Sequence, residues 1–99
     1  MKKVLFVCTS GYRAEILANI FNEDSMMVTK ACGTNSIDQS LIDWADIIIC
    51  IDKYHEECIN EMFKHDKKII CLDLENENYE SKEFQDEIKR KIERLIKDA

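Results

Sequence analysis

Short apolar segments along the chain predict four strands. Two of them, Val4-Leu5-Phe6-Val7 and Ile47-Ile48-Ile49-Cys50-Ile51, are uninterrupted. Runs without polar alternation are typical of parallel strands that are buried on both faces. The four predicted strands cover residues 2–7, 26–31, 47–51 and 69–72.

Apolar residues with helical spacing predict a helix after each strand. Ser36 and Gln39 have the spacing of a capping box at the second helix, Asp52 is an expected N-cap of the third and Ser81 of the fourth. His55 is expected to cap the third helix or to face solvent there. The segment 75–80 is acidic and predicts a loop. The four apolar stripes are Ile16, Leu17, Ile20 and Phe21; Ile37, Leu41, Trp44 and Ala45; Tyr54, Cys58, Ile59, Met62 and Phe63; Phe84, Ile88, Ile92 and Leu95.

Regular alternation of strands and helices predicts one α/β domain, a parallel sheet with helices on both faces. In such sheets ligands bind at the carboxyl ends of the strands, near the point where the strand order reverses. Cys8, Asp52 and Asp73 each stand at or just beyond the end of a predicted strand. These three side chains are therefore expected along one edge of the sheet.

The residues after the first strand predict an anion site. Cys8 is followed by Thr9-Ser10-Gly11-Tyr12 and then by Arg13, at the start of a predicted helix. Backbone N–H groups and the positive end of a helix favour a thiolate and a bound anion, and a nearby guanidinium favours both further. A thiolate in that setting suits nucleophilic attack on a phosphate-like group, unless Cys8 is an unreactive buried thiol.

Composition limits the other possibilities. The chain has 99 residues and a net charge of −6, which argues against nucleic-acid binding because no basic stripe can neutralise phosphates. No apolar run approaches the ~20 residues that cross a bilayer, and no signal peptide is evident, so a cytoplasmic protein without membrane contact is expected. The five cysteines are odd in number and mostly lie in apolar runs, so no disulfide framework is expected. They include no C-x-x-C pair, so no zinc site is expected, and no cofactor is implied.

Four segments together resemble the low-molecular-weight protein tyrosine phosphatases, above all their short bacterial branch. These segments are VLFVCTSGYRA, ACGT, LIDWADIIICIDKYHEEC and IICLDL, in the family's order. The resemblance implies a four-stranded flavodoxin-like sheet and hydrolysis of phosphomonoesters, either small molecules or phosphorylated proteins, through a cysteinyl-phosphate.

The resemblance also implies the roles of individual residues. It makes Cys8 the nucleophile, Arg13 the phosphate clamp and Asp73 the general acid. The amides of Thr9, Ser10, Gly11, Tyr12 and Arg13 would bind the phosphate, and Tyr79 or Tyr12 would form the aromatic wall of the pocket.

The resemblance breaks down in the loop itself. Four residues separate Cys8 from Arg13, where the family has five, and Ala14 and Glu15 stand where the family has serine and proline. Leu74 follows Asp73, so the family's Asp-Pro pair is absent. A degenerate relative that binds phosphate or a phosphoprotein without hydrolysis is therefore an alternative to the enzyme.

Two further classes stay open. A Cys-x-x-Gly loop after the first strand is also found in the small IIB proteins that transfer a phosphoryl group through a phosphocysteine. Arsenate reduction by a thiol relay would use Cys50 and Cys58, but a strand position and an apolar helix stripe favour core thiols for both, as for Cys32 and Cys71. The sequence leaves the oligomeric state open.

Overall fold

Strands and helices alternate along the part of the chain that the structure describes, as predicted. The computed structural model describes residues 1–22, 26–74 and 77–99. The elements are β1 (Lys2–Cys8), α1 (Tyr12–Ile20), β2 (Met27–Gly33), α2 (Gln39–Trp44), β3 (Ile47–Cys50), α3 (Lys53–Met62), β4 (Lys68–Cys71) and α4 (Lys82–Lys97).

The four strands form one sheet in the order β2-β1-β3-β4, and all neighbouring pairs are parallel. The fold is an α/β flavodoxin-like domain, so the predicted fold class is confirmed. Val7 on β1 lies between Cys32 on β2 and Cys50 on β3. The strand order reverses between β1 and β3, which puts the expected ligand edge at the carboxyl ends of these two strands.

Helices cover both faces of the sheet, which explains the uninterrupted apolar runs. Successive side chains of a strand point to opposite faces. Val4 and Phe6 therefore pack with residues of α1 and α4, whereas Leu5 and Val7 pack with residues of α2 and α3. These four side chains are fully buried.

Two of the three predicted helix caps are confirmed. Asp52 caps α3 and Ser81 caps α4 by accepting backbone N–H groups. The predicted capping box of Ser36 and Gln39 is wrong, since α2 begins two residues later and its N-cap is Asp38. The Asp38 carboxylate accepts the Leu41 N–H at 2.9 Å, and a carboxylate is favoured at the positive end of a helix.

Two sequence predictions fall partly on residues that the structure does not describe. In the predicted acidic loop 75–80, residues 75 and 76 lie outside the described ranges, and residues 77–80 contain no helix or strand. Residues 23–25, at the predicted break after the first helix, also lie outside them. Within the described ranges, no helix has the length and apolar character that crossing a membrane requires.

Candidate active site

Cys8 ends β1 with its sulfur at the start of α1. Gly11 has a left-handed backbone conformation, with φ 92°, which turns the chain from the strand into the helix. The Gly11 N–H donates to Cys8 Sγ at 3.0 Å, and the Ala14 N–H does so at 3.4 Å. Two amides of the helix N-terminus therefore converge on the thiol, which is the arrangement that the loop sequence predicts.

The thiol is closed off from solvent. Cys8 has no exposed surface and belongs to the apolar cluster around Phe6. Thr9 and Ser10, by contrast, are exposed, and the Tyr12 N–H lies 3.5 Å from Ser10 Oγ. Contact between an oxyanion and Cys8 Sγ therefore requires the loop to open.

The end of β2 supports the loop from one side. The Thr34 N–H donates to the carbonyl oxygen of Cys8 at 2.8 Å and to that of Thr9 at 3.2 Å. A Cβ atom on Gly33 would stand 2.5 Å from the Thr9 carbonyl oxygen, so only glycine allows this approach. The Ala-Cys-Gly-Thr segment therefore packs the end of β2 against the loop of residues 9–13.

His55 supports the loop from the other side, and the sequence interpretation missed this contact. His55 Nε2 lies 3.0 Å from Thr9 Oγ1, and His55 Nδ1 accepts the Asp52 N–H at 3.1 Å. The predicted capping role is thus confirmed, but the ring is buried rather than turned to solvent. The sequence carries no local signal for this contact, because Thr9 and His55 are 46 positions apart and meet only when β3 pairs with β1.

Arg13 lies in the first turn of α1 beside Tyr79. Its Cζ atom is 5.9 Å from the centre of the Tyr79 ring, within the range of a cation–π contact. Tyr79 is buried, and its hydroxyl donates to the Leu74 carbonyl oxygen at 2.6 Å. Burial raises the pKa of Tyr79 to about 12, so the phenol stays protonated at neutral pH and keeps this hydrogen bond.

Tyr12 lies at the rim of the loop. The residue is 59% exposed, and its hydroxyl donates to Glu80 Oε1 at 2.8 Å. This hydrogen bond to a carboxylate, together with the negative charge of Glu80, raises the pKa of the Tyr12 hydroxyl. Of the two tyrosines considered from the sequence for the pocket wall, Tyr79 lies against Arg13 and Tyr12 against an acidic residue.

Asp73 lies two residues beyond β4 and is exposed. Its backbone has a left-handed conformation, with φ 57°, which is unusual for a residue other than glycine. The Leu74 N–H donates to the Ile51 carbonyl oxygen at 3.0 Å and ties this segment to the end of β3. Because β3 separates β1 from β4, Asp73 follows a strand about 10 Å from the one that carries Cys8.

The other four cysteines are not part of the loop, although the backbone of Cys32 lies against Gly11. Cys32, Cys50 and Cys71 are at matching register positions on β2, β3 and β4, and Cys58 is half-buried on α3. Burial raises the pKa of Cys32 and of Cys71 to about 11, and raises that of Cys50 even further. These three thiols are therefore held in the protonated, unreactive form.

Comparisons with known proteins do not identify a family. No protein-family model, no curated protein and no solved structure matches the chain. Among residues 1–22, 26–74 and 77–99, no group of three or more histidine, cysteine or acidic side chains is arranged to hold a metal ion.

Proposed function

We propose that the protein hydrolyses phosphomonoesters through a cysteinyl-phosphate, in the manner of the low-molecular-weight protein tyrosine phosphatases that its sequence resembles. One observation carries the proposal: the N–H groups of Gly11 and Ala14 converge on Cys8 Sγ at the N-terminus of α1. These donors stabilise a thiolate, and the same amides bind an oxyanion once the loop opens.

In the proposed reaction, Cys8 Sγ attacks phosphorus, an S–P bond forms and the ester P–O bond breaks. Asp73 gives a proton to the leaving oxygen, and Arg13 with the amides of residues 9–13 holds the other phosphate oxygens. Water then attacks the phosphorus of the cysteinyl-phosphate and loses its proton to Asp73; a P–O bond forms, the S–P bond breaks, and inorganic phosphate leaves the regenerated Cys8 thiolate. The Asp73 side chain has to reach across the end of β3 for both proton transfers.

The proposed substrate is a phosphorylated protein or a small phosphomonoester, encountered in the cytoplasm. The net charge of −6 supports a local anion site rather than a nucleic-acid surface, because an acidic chain has no basic stripe that could neutralise a row of phosphates. The Glu80 carboxylate, which accepts a hydrogen bond from the Tyr12 hydroxyl, adds a negative charge at the rim of the loop. We expect this charge to disfavour strongly acidic phosphopeptides.

The test is turnover of p-nitrophenyl phosphate by the wild-type protein and by Cys8→Ser. We expect measurable release of nitrophenol from the wild type and a loss of at least ~1000-fold in the variant, because a serine hydroxyl at this position lacks an adjacent base. Equal turnover in the two proteins would refute the proposal. Mass spectrometry of acid-quenched wild type should also show one phosphoryl group on Cys8.

The burial of Cys8 favours a second candidate function, in which the loop binds phosphate or a phosphoprotein without hydrolysis. A loop that opens enough for its amides to bind an oxyanion, while the sulfur stays covered, holds the anion and does no chemistry. The two functions differ in the same experiment. Binding alone predicts saturable affinity for inorganic phosphate, no nitrophenol release and no phosphoryl group on Cys8.

A further inference from the structure

The His55 ring joins two elements at the point where the strand order reverses. It is almost fully buried, with 2% of its surface exposed, at the third position of α3. The Asp52 N–H can only be a donor, so His55 Nδ1 must be the acceptor of that bond. A neutral ring then carries its proton on Nε2, which donates to Thr9 Oγ1 at 3.0 Å.

Only the first of these two bonds is needed to cap α3. A capping box requires that the third side chain of the helix accept the N-cap N–H, and His55 Nδ1 does this. The Nε2–H bond to Thr9 contributes nothing to the cap. It connects α3 to the first residue of the loop, whose carbonyl oxygen accepts the Thr34 N–H from the side of β2.

We propose that His55 is a positioning residue, which holds Thr9 so that the loop keeps the Gly11 and Ala14 amides directed at Cys8 Sγ. Thr9 is then fixed on both sides, through its hydroxyl by α3 and through its carbonyl by the segment after β2. The consequence for oxyanion binding rests on the proposed function, whereas the consequence for the loop's own geometry does not.

The first experiment measures the loop without any ligand. The chain has two glycines, Gly11 and Gly33, so labelling with ¹⁵N-glycine gives two backbone amide signals, both from this region. Hydrogen exchange of the Gly11 amide is compared in the wild type, Thr9→Val, His55→Leu and the double variant. Thr9→Val removes the hydroxyl while keeping the shape of the side chain, and it leaves the α3 cap intact.

We expect Gly11 exchange to accelerate by about 2- to 10-fold in each single variant, the range for one net hydrogen bond, and no further in the double variant. Unchanged exchange in Thr9→Val, or effects of the two substitutions that multiply, would overturn the proposal. Urea unfolding of each protein separates this local effect from a general loss of stability, which His55→Leu alone could cause.

The other histidine provides a matched control. His65 Nε2 lies 2.8 Å from Asn60 Oδ1, beyond the opposite end of α3 from the loop. His65→Leu removes an imidazole of the same size, and we expect Gly11 exchange to be unchanged in it. Faster exchange in His65→Leu, to the same degree as in His55→Leu, would mean that α3 acts through its overall stability and would also overturn the proposal.

The second experiment adds inorganic phosphate. Because the amides bind an oxyanion only once the loop opens, the Kd for phosphate, followed by the shift of the Gly11 signal, should fall by the same 2- to 10-fold in Thr9→Val and His55→Leu, which release Thr9. If the wild type bound no phosphate, the proposed function would fail, while the ligand-free exchange experiment would still decide whether His55 positions the loop. Phosphate binding that is equal in all variants would overturn the step from loop geometry to oxyanion binding.

Discussion

Two cysteines end the two central strands of the sheet, and their surroundings are opposite in kind. Cys8 ends β1 and Cys50 ends β3, and neither has exposed surface. Cys8 faces the side covered by α1 and α4, whereas Cys50 faces the side covered by α2 and α3. The sulfur of Cys8 accepts two backbone N–H groups, and burial raises the pKa of Cys50 far above its usual range.

The difference arises from the residues that follow each strand. After Cys8, a glycine with positive φ turns the chain so that the first amides of a helix point back at the sulfur. After Cys50, Ile51 is buried in the core and the Asp52 carboxylate caps α3. The N-terminus of α3 therefore binds this carboxylate and not the Cys50 sulfur. Both sulfurs are buried, so the two convergent backbone N–H groups are what distinguishes Cys8 from Cys50.

The largest expected effect comes from Gly11→Ala, which disturbs the turn that directs two N–H groups at Cys8 Sγ, an arrangement that Cys50 lacks. The φ of 92° is unfavourable for alanine, and the new Cβ would stand 3.2 Å from the Gly33 nitrogen. We expect a loss of about 1–2 kcal/mol in the free energy of unfolding. Hydrolysis of p-nitrophenyl phosphate should fall by ~100-fold, as for the loss of one oxyanion donor. Wild-type turnover in Gly11→Ala would show that the convergent amides are irrelevant to activity.

The second expected effect comes from Cys50→Ala, which creates a small cavity in the other cluster. We expect a loss of about 1–2 kcal/mol in the free energy of unfolding, measured with urea. Turnover per folded molecule should stay unchanged, so this variant is also the stability-matched control for Gly11→Ala. A fall in turnover would instead support a thiol relay through Cys50, and Cys58→Ala would then be tested for the same loss.

The smallest expected effect is the pH dependence of stability that Cys50 contributes. Its pKa is raised in the folded protein, so the unfolded chain loses the proton first as the pH rises past ~8.5. Stability from this group is therefore complete below pH ~8.5 and declines above it. When the pH is raised from 7.5 to 9, the free energy of unfolding, measured with urea, should fall by about 0.8 kcal/mol less in Cys50→Ala than in the wild type. Parallel pH curves for the two proteins would contradict the shifted pKa.

Much of the architecture was predictable because it depends on local patterns. Apolar runs identified the buried strands, and Asp52 and Ser81 identified two helix starts. The predicted N-cap of α2 was wrong because Ser36, Asp38 and Gln39 all have side chains that can take part in capping a helix. Only the course of the chain after β2 shows that Ser36 Oγ instead accepts the Gly33 N–H, at 3.2 Å.

The candidate site was predictable only in part. The order strand, cysteine, glycine-containing turn and helix specifies that amides converge near Cys8, because neighbours in sequence form this geometry. The contact between Thr9 and His55 joins residues 46 positions apart, and no local pattern predicts which side chain of α3 reaches the loop. The contact between Arg13 and Tyr79 likewise depends on how the segment before α4 passes α1.

By itself, the sequence determined the α/β alternation, the thiol at the end of the first strand and the turn that brings amides to it. These features depend on side-chain periodicity and on backbone preferences within a few residues. The tertiary structure decided that Cys8 is covered, that His55 and Thr34 hold Thr9 from two sides, and that Cys50 is an inert core thiol. Burial and long-range hydrogen bonds depend on which strands become neighbours, and that is settled only when the sheet assembles.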